Sequence, residues 1–338
     1  MGKIKSFAAA GFVKTALLAT ITLSWTARAE VAVDPPNINP GLIQPVGPLP
    51  LPIETLLLQE FTIDATRRMI VPVQINGSKP FPFIVDTGSE RTVIATDLAR
   101  SLGLENGRML RLATVSGPAT VPSFLIDSLT TSTLSLDAVE APGLERTNLG
   151  AFGLLGIDSL QDNKLFLDFR APKMEVLPSP KKRGLTKLES GMIVVTARRK
   201  AGRLVISNAS LNGMHVDIVI DTGAQSSLGN YALRDKLLRR NRGSDFVPIE
   251  MSSVVGTKLE GNLTQIREIE LGGVRIQDMP IVFSENYAAK VLGLENRPAI
   301  FLGMDALRLF DKVVIDFVNN RVSFLLPKTQ RRGLQSRL

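Results

Sequence analysis

The chain has no cysteine among its 338 residues. Disulfides therefore cannot staple the fold and a lipid-modified N-terminal cysteine is excluded. Stability must come from buried apolar surface, which a chain of this length can supply as one core per lobe. Histidine is nearly absent too, with His215 the single copy. One imidazole and no thiolate cannot assemble a usual zinc site, and any Ser-His-Asp or Cys-His machinery would have to pass through that residue. It stands just before an apolar run with no Gly-x-Ser-x-Gly motif nearby, so it reads as a structural or partly exposed histidine. Aromatic residues make up 5% of the chain, with one tryptophan and two tyrosines. That is too few for base-stacking surfaces, and nucleic acid is not an expected partner. No metal or other cofactor is expected either. Apolar runs of membrane-spanning length are also missing, since Thr15 to Trp25 is too short for a comfortable span.

The formal net charge is +8, but Lys3, Lys5, Lys14 and Arg28 all lie in the first 29 residues, which contain no acid. Removing those four cations leaves about +4. The remainder is scattered over Lys181-Lys182-Arg183, Arg198-Arg199-Lys200, Arg239-Arg240 and the C-terminal tail, and reads as solvated charge rather than a gathered binding surface.

What the chain does have is a doubled motif. Phe81-Pro82-Phe83-Ile84-Val85 runs into Asp86-Thr87-Gly88-Ser89, and Val216-Asp217-Ile218-Val219-Ile220 runs into Asp221-Thr222-Gly223-Ala224. The two aspartates are 135 residues apart (221 − 86). One such triplet after an apolar strand would mean little, because Asp, Thr and Gly all form turns. The surroundings repeat as well, in the same order. Asn76-Gly77 and Asn212-Gly213 precede the triplets and predict type I′ hairpin turns. Downstream come small-residue turns at Thr114-Val115-Ser116-Gly117 and Ser253-Val254-Val255-Gly256. Then follow Leu154-Leu155-Gly156 with Asp158, and Phe301-Leu302-Gly303 with Asp305, and finally strands ending in Asp168-Phe169 and Asp316-Phe317. A β-unit is present twice.

On these residues the chain resembles the retropepsin-like aspartic proteases, over roughly 60–178 and 190–328, with two such units fused in tandem as in exported bacterial members. The resemblance implies an all-β fold of two lobes related by a pseudo-twofold axis, with one short helix per lobe. It implies that Asp86 and Asp221 form a catalytic dyad that activates a water against a peptide bond. Two carboxylates held close cannot both ionise and so share one proton. It places Thr87 and Thr222 across the axis, bonded to the opposite loop. Gly88 and Gly223 leave room for the loops to abut. Ser89 offers a hydroxyl to Asp86 that Ala224 cannot offer to Asp221, which would make Asp86 the more acidic member. Leu154, Leu155 and Gly156, with Phe301, Leu302 and Gly303, would brace the loops from behind. Ser116-Gly117 and Val255-Gly256 resemble flap tips that close over an extended peptide, without the tyrosine of pepsin-type flaps. Asp158 and Asp305 read as helix caps. Asp168 and Asp316 read as turn closers or partners of arginines, and Glu90 and Arg91 as either cleft-lining or surface charge.

The remaining segments have their own signatures. Residues 1–29 read as a signal peptide with cleavage before Glu30, which sends the protein to the periplasm or outside the cell and leaves no stable membrane insertion; an uncleaved anchor is the alternative. Residues 30–54 are proline-dense and read as a tether or a pro-segment. Residues 55–178 form the first lobe, 179–190 a linker, 191–328 the second lobe and 329–338 a basic tail. Short helices are expected at 97–102, stopped by Gly103, and at 231–240, capped by Asn230. With both aspartates on one chain a monomer suffices. The expected activity is endopeptidase action on an extended polypeptide, an envelope protein by location. The alternative is a catalytically silent module of the same fold that binds such peptides.

Overall fold

The computed structural model describes residues 69–171, 173–181, 191–240 and 246–328, with the backbone of two short strands at Thr15–Ala16 and Thr62–Ile63. The expected tether and basic tail lie outside the described residues, as do residues 182–190 of the linker and all of the signal segment except the backbone of Thr15–Ala16.

Each half begins with the hairpin that its Asn-Gly pair predicts. Strands Met69–Ile75 and Phe81–Val85 are joined through Asn76 and Gly77, at φ 48° and 72°, and strands Arg203–Leu211 and Met214–Ile220 through Asn212 and Gly213, at φ 47° and 72°. Both central residues adopt positive φ, as a type I′ turn requires. The asparagines also dock their turns. The Ser128 N–H donates to Asn76 Oδ1 at 2.9 Å, and the Glu268 N–H to Asn212 Oδ1 at 3.0 Å. Each turn is thereby pinned to a strand that arrives much later in the chain.

From that hairpin each half closes into a barrel of six strands. In the first the order is 69–75, 81–85, 153–155, 93–95, 135–144 and 123–130, the last pairing back onto the first through Ile75 and Leu129. In the second it is 203–211, 214–220, 299–302, 228–229, 274–284 and 258–271, closed through Leu211 and Ile269. Closure leaves these strands without free edges. It also sets the apolar-apolar-Gly segment parallel to the strand that ends in the aspartate, with Leu154 opposite Ile84 and Phe301 opposite Val219.

The halves are not separate bodies joined by a linker. Strands Asn163–Asp168 and Lys173–Pro178 of the first half, Lys312–Asp316 and Arg321–Leu325 of the second, and Met192–Thr196 after the linker form one five-stranded sheet. Its central joint is the antiparallel pairing of 164–168 with 312–316, so the two strands that end in the repeated Asp-Phe pair with each other. The apolar core is accordingly continuous, from Phe83 and Leu154 through Leu165 and Val313 to Phe301 and Phe324, rather than one core per lobe.

The helices depart from the expectation of one per lobe: each half carries three among the described residues. They are Thr96–Ser101, Arg146–Leu149 and Ile157–Leu160 in the first, and Tyr231–Arg240, Tyr287–Val291 and Met304–Leu307 in the second. The additional ones are one turn or little more, too short to show a 3.6-residue apolar period, and are held by tertiary contact. The 231–240 helix forms with Leu233 and Leu237 buried, and the Asn230 carboxamide accepts the Leu233 N–H at 3.0 Å. The first-half helix runs one residue ahead of its expected position. No helix among the described residues is long and apolar enough to cross a membrane.

Candidate active site

Strands 81–85 and 214–220 deliver Asp86 and Asp221 to the joint between the halves, where both are buried. The loops interlock through their threonines. The Thr87 N–H donates to Thr222 Oγ1 at 3.1 Å and the Thr222 N–H to Thr87 Oγ1 at 3.1 Å. Each hydroxyl then donates across the axis, Thr87 Oγ1 to the Ile220 carbonyl at 2.9 Å and Thr222 Oγ1 to the Val85 carbonyl at 2.7 Å. The threonines are thereby fully occupied in holding the loops together.

The glycines explain how closely the loops approach. A Cβ on Gly88 would lie 2.5 Å from Asp221 Oδ1, and one on Gly223 would lie 2.2 Å from the Asp86 carboxyl carbon. Each carboxyl therefore rests directly over the other loop's glycine, and any side chain there would expel it. Behind the loops the repeated Leu-Gly segments act as braces. The Asp86 N–H donates to the Leu155 carbonyl at 2.9 Å and the Asp221 N–H to the Leu302 carbonyl at 3.0 Å. A Cβ on Gly156 would meet the Arg91 backbone at 2.3 Å, and one on Gly303 the Ser226 backbone at 2.8 Å.

Asp158 and Asp305 are not helix caps. The residues before their helices are Gly156 and Gly303, which make no side-chain cap, and the aspartates sit in the first turn. Their carboxylates reach the strand leaving each active loop. Asp158 accepts the Thr92 N–H at 2.8 Å and its hydroxyl at 2.8 Å, and Asp305 accepts the Ser227 N–H at 2.9 Å and its hydroxyl at 2.7 Å. Those hydroxyls in turn accept the Gly156 and Gly303 N–H groups, at 3.2 and 2.9 Å. A carboxylate that could have capped its own helix instead ties three segments behind the two buried aspartates. Asp168 and Asp316 do close turns, accepting the N–H groups of Arg170 and Asn319 at 3.0 and 3.1 Å, but the cation beside Asp168 is Lys312 at 3.2 Å rather than an arginine.

The electrostatics follow from burial. Burial, with the facing Asp221 charge added, holds Asp86 well above the ordinary carboxylate range, against the Gly88 and Ser89 amides and the Arg203 charge. Burial pushes Asp221 up to about 6, opposed chiefly by the Ala224 amide and Arg203. The order expected from Ser89 loses its basis. The reason is geometric: Ser89 Oγ donates to the Arg91 carbonyl at 2.7 Å and not to Asp86. The two carboxyls then receive matching donors, Gly88 and Ser89 amides at 2.8 and 3.0 Å on Asp86, and Gly223 and Ala224 amides at 3.1 Å on Asp221.

Arg203 is the residue that sequence reasoning missed. It has no exposed surface, and its Nε donates to the Gly88 carbonyl at 2.8 Å, so the second half grips the first half's loop with a buried guanidinium. Burial pulls its pKa down, while the charges of Glu90, Asp86 and Asp221 oppose that. A signal was present: Arg68 precedes Arg203 by the same 135 positions that separate the aspartates (203 − 68). Glu90 and Arg91 are half-buried and line a groove of about 630 Å³ with Glu140 and the second half's Ala201-Gly202 turn.

The two expected flap turns are brought together. Val115 and Ser116 turn between strands Leu110–Thr114 and Gly117–Val121, and residues 253–257 turn between Val247–Ser252 and Lys258–Leu271. Ser116 Oγ donates to Ser253 Oγ at 3.2 Å. Each tip also reaches the opposite half. The Tyr287 N–H donates to the Val115 carbonyl at 3.0 Å, and Gly256, at φ 78°, lies against the Asn148 carboxamide. The short helices at 146–149 and 287–291 thus serve as landing points for the tips. His215 is exposed and lies apart from this arrangement, on the wall of a pocket with Asp217 and Arg297.

Among curated proteins none matches the chain in sequence. Solved structures to which the chain shows a likeness include a retropepsin-like aspartic protease from Rickettsia conorii, 18% identical, covering 40% of this chain and 90% of its own at a TM-score of 0.26. They also include edgp, 11% identical over 82% of this chain and 98% of its own at 0.41, and Basic 7S globulin from soybean, 12% identical over 81% and 95% at 0.39. The family model described as aspartyl protease matches twice, over residues 71–159 and 207–306, together more than half of the chain. Each match spans one Asp-Thr-Gly loop and the Leu-Gly brace behind it, so the chain belongs to the aspartyl protease family, in a retropepsin-like tandem form.

Proposed function

We propose that this protein is an aspartic endopeptidase whose dyad is Asp86 and Asp221, acting on an extended polypeptide held between the lobes. The observation that carries the reading is the reciprocal fit of the two loops. Two buried carboxyls, each over the other's glycine and both raised above the usual carboxylate range, are held where one proton serves both.

In the proposed reaction the ionised member takes a proton from a water as its oxygen attacks the peptide carbonyl. The protonated member gives its proton to the carbonyl oxygen, so the tetrahedral intermediate is a neutral diol. Collapse returns a proton to the dyad from a diol hydroxyl while the other member protonates the departing amine. Water is consumed, one acid and one amine are released, and the dyad is restored to a single shared proton. The hairpins at 110–121 and 247–271 would lie along the peptide, supplying backbone hydrogen bonds by strand addition. Closure of both tips over the bound chain would keep bulk water from the intermediate. Export through the N-terminal segment would make envelope proteins the available substrates, and one chain would suffice for activity.

The test is cleavage of unfolded casein by the purified protein and by Asp86→Asn and Asp221→Asn. Each variant is expected to lose about 10²–10⁴-fold in kcat while its unfolding transition persists. Undiminished cleavage by either would refute the assignment. Loss of cleavage alone, with casein still bound, would leave the fold's peptide-binding role intact.

A further inference from the structure

The internal repeat serves as a control. The Asp-Thr-Gly loops, their braces and the tip turns occur in both halves, so a pocket built in only one half points to a use of its own. A pocket on the second lobe is such a feature. It measures about 450 Å³ and is walled by His215 and Asp217 on strand 214–220, Lys236 and Arg240 on helix 231–240, and Arg297. The same 135-residue offset places Pro80 and Pro82 at the positions of His215 and Asp217, and Ser101 at that of Lys236. The first-lobe helix has six residues against ten, and so lacks the turn that carries Arg240.

The charges in the pocket are arranged rather than scattered. Asp217 is buried, and its Oδ2 accepts Arg297 Nε at 3.0 Å and Nη2 at 2.8 Å, which fixes that guanidinium against the wall. The other oxygen, Oδ1, is buried without a hydrogen bond and has Arg198 Nη2 at 3.9 Å. Lys236 and Arg240 stand one turn apart, and among the described residues neither makes an ion pair; the helix's Asp235 is taken by Arg234 at 2.9 Å. Like charges at this spacing repel, so the pair is retained at a cost unless an anion sits between them. Three cations against one carboxylate leave two positive charges, more than the roughly half-unit negative end of the helix offsets.

We infer that this pocket binds a phosphate monoester. Its doubly charged, multi-oxygen head matches Lys236 and Arg240 together, with the fixed Arg297 offering its free N–H groups at the rim. A singly charged carboxylate would leave part of the positive charge unmet. The pocket's volume falls within the range of small-molecule sites and suits a phosphorylated sugar or a lipid head group.

The test is calorimetric titration of the purified full chain with glucose 6-phosphate, with glucose as the uncharged control. In parallel, the chain is sedimented with phosphatidylcholine vesicles with and without phosphatidic acid. Lys236→Gln/Arg240→Gln removes the charge, and Lys236→Glu/Arg240→Glu reverses it. Arg100→Glu, on the matching helix of the first lobe, controls for net charge, and thermal unfolding checks that each variant folds. Saturable binding of glucose 6-phosphate but not glucose is expected, weakened about tenfold or more in the double Gln variant and unchanged in Arg100→Glu, with casein cleavage unaffected. Binding only to vesicles with phosphatidic acid, lost in the same variant, would also support the site and assign the phosphate to a lipid. No binding of either phosphate, or equal weakening in Arg100→Glu, would overturn the proposal.

Discussion

Asp86 and Asp221 are raised by burial and proximity together, and that has a direct consequence for pH. A carboxyl whose pKa is raised stays protonated to higher pH. The pair therefore reaches its singly ionised form only above the ordinary carboxylate range. The rising limb of kcat/KM is expected above that range, with an optimum toward neutrality and a falling limb where the second carboxyl of the pair ionises. A pH–rate profile on a peptide substrate checks this, and an optimum at the strongly acid end would contradict it. Arg203 lowers both carboxyls. Removing its charge in Arg203→Met is thus expected to move the rising limb to higher pH, whereas Arg203→Lys should hold the limb and lose mainly the bond to the Gly88 carbonyl. Both variants should cost about 1–3 kcal/mol in denaturant unfolding, because that buried carbonyl loses its donor.

At the scale of elements, the hairpins and braces were legible because their causes are local. Asn76-Gly77 and Asn212-Gly213 form the expected turns since few other pairs accept two positive φ values. The helix at 231–240 was legible from its cap and its two leucines. The one-turn helices at 146–149 and 287–291 were not, because four or five residues without a period are indistinguishable from loop. Nor was the true task of Asp158 and Asp305, since the partner hydroxyls lie 66 and 78 residues earlier in the chain. The braces differ from the turns in how they tolerate a methyl group. Gly156→Ala would place Cβ 2.3 Å from the Arg91 backbone, and the expected loss is about 1–3 kcal/mol with a fall in kcat. Gly77→Ala meets nothing within 4 Å and carries only the penalty of its φ, about 1 kcal/mol with kcat unchanged. Urea unfolding and initial rates on the two variants separate these outcomes; equal effects would show that the brace is not what positions the loop.

For the whole molecule the decisive element is the sheet that both halves build. Its pairing of 164–168 with 312–316, the threonine interlock and the continuous core all cross the boundary that composition marks at 179–190. An engineered cleavage site placed between Lys181 and Gly191, once cut, is therefore expected to leave two fragments that co-elute under native conditions, keep casein activity and separate only in denaturant. Fragments that part on native size-exclusion chromatography would show that the linker, rather than the sheet, holds the halves.

The sequence by itself determined the repeat, the two aspartates, the turns and the β class, since each depends on residues close together in the chain. The tertiary structure alone decided what crosses between halves: that the Asp-Phe strands pair with each other, that Arg203 reaches the first loop, that Ser89 turns its hydroxyl away from Asp86, and that the turns at 115–116 and 253–257 each land on the opposite lobe. These contacts join residues more than a hundred positions apart, or choose among several nearby acceptors. Periodicity and propensity act over a few residues, whereas burial and register are settled only when both halves close around one core.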